Sequence, residues 1–314
     1  MVSNAPSWRF CGGQSVQYDV GRQKVTIAIN LKVMDGLVLA ADSASTLIAR
    51  IGDNPPFVQN VYNNANKIFN LRKGLPIGLI TWGSGAIGSS SIATLTKILR
   101  ARLSGRDADH AAWHLDAENY EILAISNQVR QFFYEEHYQA AFAAWPEKPL
   151  LGFVVAGYSS ASVTPEEYTI QIDTHGNCHG PIALRQPEQV GVTWNGFPEP
   201  LTRLMLGFSA NLLPLLQSEM PEHQAAVAAA FGRVSGQLVA PLVQAAMPLQ
   251  DAIDLAAYLA EIVVKFSSFA PGAPVVGGPI EVAAITKYEG FKWVKRKYYY
   301  DREFNPTQEE DGHG

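Results

Sequence analysis

With 314 residues, 47% of them hydrophobic and only 17% charged, the chain can bury a full core in one large domain or two. A net charge of −5 argues against a nucleic-acid binder. With Cys11 and Cys178 as its only cysteines the chain has no disulfide framework, which points to a reducing, cytoplasmic setting.

The uncharged stretches 149–165 and 234–250 contain prolines and fall short of the roughly 20 apolar residues of a membrane helix. The first residues lack the basic start and apolar stretch of a secretion signal, so no membrane association is expected. The low charge fraction suggests surface covered by partner subunits, because interface cores lose charge for the same desolvation reason as interiors.

Residues 1–24 have no periodic pattern and read as an irregular extension or propeptide. Over 25–42, Ile27, Ile29 and Leu31 alternate with Thr26, Ala28 and Asn30, the period of a strand. A Met34-Asp35-Gly36 turn, whose Asp-Gly suits positive φ angles, joins it to a second apolar run closed by Asp42. Residues 43–66, polar and holding Pro55-Pro56, read as a long loop. A strand starts at Lys67 and its partner covers 75–82.

Gly83-Ser-Gly-Ala-Ile-Gly88 then leads into a helix with Ser89, Ser90 and Ser91 as cap candidates and Ile92, Leu95, Ile98 and Leu99 on one face. A second helix is expected over 118–144 and strands over 150–158, 167–173 and 191–194. Helical regions follow at 198–217, 224–246 and 250–266, the last apolar nearly all round. A strand over 276–285 closes the domain. The run Lys292, Lys295, Arg296 and Lys297, followed by acidic residues, reads as part of a solvated, aromatic tail over 291–314. Strands and helices fall in segregated runs, so the expected class is α+β, with antiparallel sheets layered against helices.

The Gly83–Gly88 stretch matches G-x-G-x-x-G, but a dinucleotide site needs a βαβ unit with an acidic residue closing the next strand. The acidic residues about 20 positions on, Asp107 and Asp109, lie in a polar loop without a strand pattern, and that reading is rejected. His110 and His114 with Asp107 and Asp116, and Asp173 with His175, Cys178 and His179, lack complete zinc spacing and read as solvated polar residues. No metal or other cofactor is expected.

One constellation remains. Thr26, then Asp-Gly-Leu-Val-Leu-Ala-Ala-Asp42-Ser, then Asn66-Lys67-Ile-Phe, then Trp82-Gly-Ser-Gly-Ala resembles the proteasome β-type subunits of the amino-terminal-nucleophile (Ntn) hydrolases. Val155-Ala-Gly-Tyr158, Ile172-Asp-Thr-His-Gly176 and Val276-Gly-Gly278 look like later landmarks of that family, so the match spans about 25–287. The resemblance implies a four-layer α/β/β/α sandwich of two antiparallel sheets flanked by helices, in a domain over 25–290. It also implies a peptide or protein substrate and a homo-oligomeric ring.

Carried over residue by residue, Thr26 is the nucleophile, acting after removal of 1–25 with its freed α-amine as proton acceptor. Lys67 is the cation that keeps local proton affinities low, Asp42 is its partner, and the Gly83 N–H faces the oxyanion. The chemistry is coherent in itself: threonine without an imidazole needs a base at hand, and a terminal amine titrates near neutrality. Val25 stands where processed members have glycine, Asn195-Gly196 where a serine–glycine is expected, and Val276 where a second serine precedes Gly-Gly. Two alternatives therefore stay open: a non-catalytic scaffold subunit that keeps its extension, and an Ntn amidohydrolase of small amides.

Overall fold

The computed structural model describes residues 26–49, 57–271 and 276–297. The extension, with Cys11 and Val25, and the chain beyond Lys297 lie outside the described residues. The chain builds two five-stranded sheets, and all of their neighbouring strands run antiparallel.

The first sheet contains β1 (Ile27–Val33) and β2 (Gly36–Ala41). Two short strands, β3 (Ser45–Ala49) and β4 (Phe57–Tyr62), pair as a separate hairpin. The expected loop over 43–66 is thus largely a hairpin inserted between the first sheet and β5 (Ile68–Asn70). β6 (Ile77–Gly83) is followed by the two-residue strands β7 (Ala86–Ile87) and β8 (Ser90–Ser91).

Helix α1 (Ile92–Leu103) starts where the serines predict, with the Ser91 hydroxyl accepting the Thr94 N–H. Its buried face holds Ile92, Leu95 and Leu99 but not Ile98, which is exposed. The second helical region runs as α2 (Ile122–Arg130), a wider π-type coil over Gln131–Tyr138, and α3 (Gln139–Ala141). Phe132 and Phe133 both enter the core from this coil.

The strands β9 (Leu151–Gly157), β10 (Glu166–Ile172), β11 (Cys178–Ala183) and β12 (Gly191–Gly196) come next. Where one helix was expected over 198–217 there are two, α4 (Glu199–Leu206) and α5 (Leu212–Glu219), separated at left-handed Gly207. Then come α6 (Gln224–Leu238), α7 (Leu249–Phe269), β13 (Glu281–Thr286) and β14 (Gly290–Lys295). Residues 291–295, expected as the start of a tail, therefore belong to an edge strand.

The first sheet has the order β12-β1-β2-β13-β14 and the second β11-β10-β9-β6-β5. Strand alternation sorts the apolar residues into three layers. Ala28, Leu37, Leu39, Ala283 and Ile285 of the first sheet meet Ile68, Ile80, Trp82, Val154 and Ala156 of the second. Ile27, Ile29, Leu31, Val38 and Ala40 point the other way, onto Leu201 of α4 and Ala256, Leu259 and Val263 of α7. On the outer face of the second sheet, Leu79, Phe153, Val155 and Ile170 pack against Leu95, Leu99, Ile125 and Phe133. The result is an α+β fold of two antiparallel sheets with helices packed outside them. No helix of the described residues is long and apolar enough to cross a membrane.

The inter-sheet layer also carries a polar seam. Asn30 and Lys32 break the apolar pattern of β1 on this side, and both are buried. Asn30 donates to Glu167, whose carboxylate pairs with Arg185, and the Arg185 guanidinium also donates to Thr193. Lys32 Nζ donates to the Gln186 carbonyl, and burial pushes its ammonium below the ordinary lysine range against the pull of Glu167.

Candidate active site

The hairpin that opens the first sheet turns through Met34 and Asp35, with Val33 opposite Gly36. Among the described residues no non-glycine has a positive φ, and Gly36 is not among the glycines that do. Its role is close approach instead: a Cβ there would lie 2.8 Å from the Ile285 carbonyl oxygen of the neighbouring strand. The hairpin brings its two ends, Thr26 and Asp42, side by side, and the Asp42 N–H bonds the Ile27 carbonyl.

Asp42 is the centre of the cluster. Its Oδ1 accepts from Thr26 Oγ1 at 2.8 Å, the Ile27 N–H at 3.0 Å and Lys67 Nζ at 2.5 Å. Its Oδ2 accepts from the N–H groups of Ala44 and Gly277, both at 3.1 Å. Asp42 is fully buried and Lys67 nearly so, so the pair survives away from water because the carboxylate's acceptor sites are filled. Burial pushes the Lys67 ammonium below the ordinary range, and the Asp42 charge and hydrogen bond work against that shift.

Lys67 enters from the second sheet, one residue before β5, where its carbonyl accepts the Thr81 N–H of β6. On the other side of β6 the Ser84 N–H bonds the Leu150 carbonyl. Gly83 has a φ of 88°, and a Cβ there would come within 2.3 Å of the Leu150 carbonyl oxygen, so only glycine suits the position.

Thr26, Asp42 and Lys67 are thus drawn into one hydrogen-bonded cluster at the join of the two sheets. Gly83 closes the adjacent strand and is not joined to the three by any of these bonds. The Gly83–Gly88 turn stands in no βαβ unit, since both neighbours of β6 run antiparallel to it.

Four residues of this region were given no site role by sequence reasoning: Ser43, Gly277, Glu281 and Lys297. Ser43 directly follows Asp42, donates from Oγ to the Pro279 carbonyl at 2.7 Å and accepts from Lys297 Nζ at 2.9 Å. Glu281 is a lone carboxylate heading the apolar run Val282–Ile285, and that isolation is the one signal that could have flagged it. Lys297 was expected in a solvated tail, yet its side chain is buried against Glu281 at 3.2 Å. Nothing local marks it among its basic neighbours.

The other polar clusters keep their own partners. Asp107 faces His110, and Asp173 accepts from the backbone of His175 and Asn177 and faces His179. Among the described residues no three His, Cys, Asp or Glu side chains stand together as a metal site. A cleft of about 500 Å³ lies between the 87–90 turn and the π-type coil, lined by Ile87, Leu95, Glu136 and His137, and shares no residue with the Asp42 cluster. Compared with known families and characterised proteins, the chain matches no family model and no curated protein sequence.

Proposed function

We propose that the protein is a hydrolase of the proteasome-like Ntn type, cleaving amide bonds of peptides or proteins with Thr26 once the Val25–Thr26 bond has been broken. The observation that carries the reading is the convergence of Thr26 Oγ1, Lys67 Nζ and the Ile27 N–H on the single oxygen Asp42 Oδ1.

In the mature chain the Thr26 α-amine takes the hydroxyl proton as Oγ1 bonds to the substrate carbonyl carbon. The oxyanion forms against the Gly83 N–H. Collapse breaks the carbon–nitrogen bond, the amine proton leaves with the departing amine, and water then hydrolyses the threonine ester. Lys67, held by Asp42, keeps the amine unprotonated by its positive charge. In the uncleaved chain no amine exists, and the hydroxyl donates to Asp42 instead.

Assembly into a homo-oligomeric ring belongs to the same reading. It has support in the apolar side chains that the outer helices expose, among them Leu215, Val234, Leu238 and Phe269. Sedimentation as a monomer at micromolar concentration would contradict the assembly.

One observation favours a second reading, an unprocessed scaffold: Thr26 is only 3% exposed and its hydroxyl is committed to Asp42. Intact-mass measurement of the purified protein, paired with turnover of fluorogenic peptides, decides between them. The hydrolase reading expects a chain beginning at Thr26 with turnover that Thr26→Ala abolishes. A full-length chain without turnover would leave the scaffold.

A further inference from the structure

The geometry points to Lys297, held by Glu281, as a positioning residue of the Thr26 centre: it staples together the two chain segments that deliver Asp42 and Lys67. This rests on Thr26, Asp42 and Lys67 being the reacting centre proposed above. The three protons of the Lys297 ammonium have three acceptors: Ser43 Oγ at 2.9 Å, the Ala65 carbonyl at 2.5 Å and Glu281 Oε2 at 3.2 Å. Ser43 adjoins Asp42, and Ala65 lies two residues before Lys67.

The two segments are already linked by the Ala65 N–H bonding the Ser43 carbonyl, and Ser43 is tied to the 277–279 turn through its N–H and its hydroxyl. Lys297 closes this frame on its remaining side. Glu281 lies opposite Ala41 in the β2–β13 ladder, one residue from Asp42, so the carboxylate that holds Lys297 stands on the strand beside the site.

The backbone supplies the aim. β13 and β14 slip register between Val282 and Ala283, so β14 carries one extra residue against its partner. Such a bulge bends the strand and redirects the chain beyond it, here toward the end of the sheet where Ser43 sits. Asp42 and Glu281 against Lys67 and Lys297 make a charge-balanced buried quartet. Asp42 at the end of β2 bonds Lys67 directly, while at longer range the charge of Glu281 on β13 favours its ammonium and that of Lys297 beyond β14 opposes it. Arg296 in turn opposes the charge on Lys297. Lys297 therefore acts on Lys67 through charge as well as through the frame.

The test is the titration of the Lys67 ε-carbon, followed by NMR in the full chain carrying carbon-13 lysine, in wild type, Lys297→Met, Lys297→Arg and Glu281→Gln. Removing the cation while Glu281 remains should move the Lys67 midpoint up. Removing the Glu281 charge while Lys297 remains should move it down, and Lys297→Arg should restore the wild-type curve. A staple with a packing role alone would move both variants the same way or neither, and either result overturns the inference. If Lys297→Met does not fold, Glu281→Gln and Lys297→Arg suffice: the absence of a downward shift in Glu281→Gln is then the overturning result.

The titration needs no turnover, so the two proposals fail separately. Opposite shifts in a wild type without peptidase activity leave the positioning intact and remove the hydrolase reading. Turnover with an unmoved Lys67 removes only the positioning.

Discussion

Gly196 presses against Thr26: a Cβ on Gly196 would lie 1.9 Å from the Thr26 carbonyl oxygen, and Gly196 holds a φ of 103°. The neighbouring Phe197 N–H bonds that same oxygen at 2.7 Å. The end of β12 thereby fixes the backbone of the candidate nucleophile from the side opposite Asp42. Gly196→Ala should cost about 2–4 kcal/mol from strain and the forced shift of Thr26, read from urea unfolding. It should also abolish any Thr26-dependent turnover. A variant of wild-type stability and activity would show that the contact is easily relieved.

Asp42→Asn keeps the shape of the side chain and removes its charge. Lys67 then loses the counter-ion it bonds directly, and one side of the amide presents N–H groups to donors. Loss of one partner of a buried pair typically costs about 3–5 kcal/mol. Chemical denaturation should show a loss of that size, and Lys67→Met in the same background should recover part of it by removing the stranded ammonium. Equal stability of Asp42→Asn and wild type would mean that water reaches the pair.

The seam between the sheets offers a parallel case without catalytic meaning. Glu167 is wholly buried and answered by Arg185. Arg185→Met should cost about 3–5 kcal/mol, whereas Arg185→Met combined with Glu167→Leu should return to within about 2 kcal/mol of wild type, since an apolar pair of similar volume has no charge to desolvate. A double variant no better than the single one would assign the loss to the Thr193 and Asn30 bonds instead.

Lys32 gives the pH dependence a sign. Burial sets its folded value below 10.5, so between that value and 10.5 the unfolded chain binds more protons and stability rises with pH. Below the folded value both states are charged and the contribution is flat and least favourable. Lys32→Met removes this slope. Urea unfolding between pH 7 and 10.5 should therefore show the variant's stability falling relative to wild type as pH rises. A constant difference across the series would place Lys32 at its ordinary value in the folded chain.

The sequence by itself determined the elements whose information is local. The alternation of Ile27, Ile29 and Leu31 sets a buried strand face, and Ser91 sets the start of α1. Segregated runs of strands and helices likewise made the α+β class legible, because each period reports which faces must be buried.

Features that depend on contacts far apart in the chain were decided by the tertiary structure alone. The order of strands in the two sheets, with β12 beside β1 and β13 beside β2, is of this kind. Lys297 is the sharpest instance. Among Lys292, Lys295 and Arg296 it is one basic residue of four, and only the β14 bulge and the buried Glu281 place its ammonium beside Ser43, 254 positions earlier in the chain. A charge is legible in a sequence, but whether it is solvated or desolvated depends on the elements that fold over it.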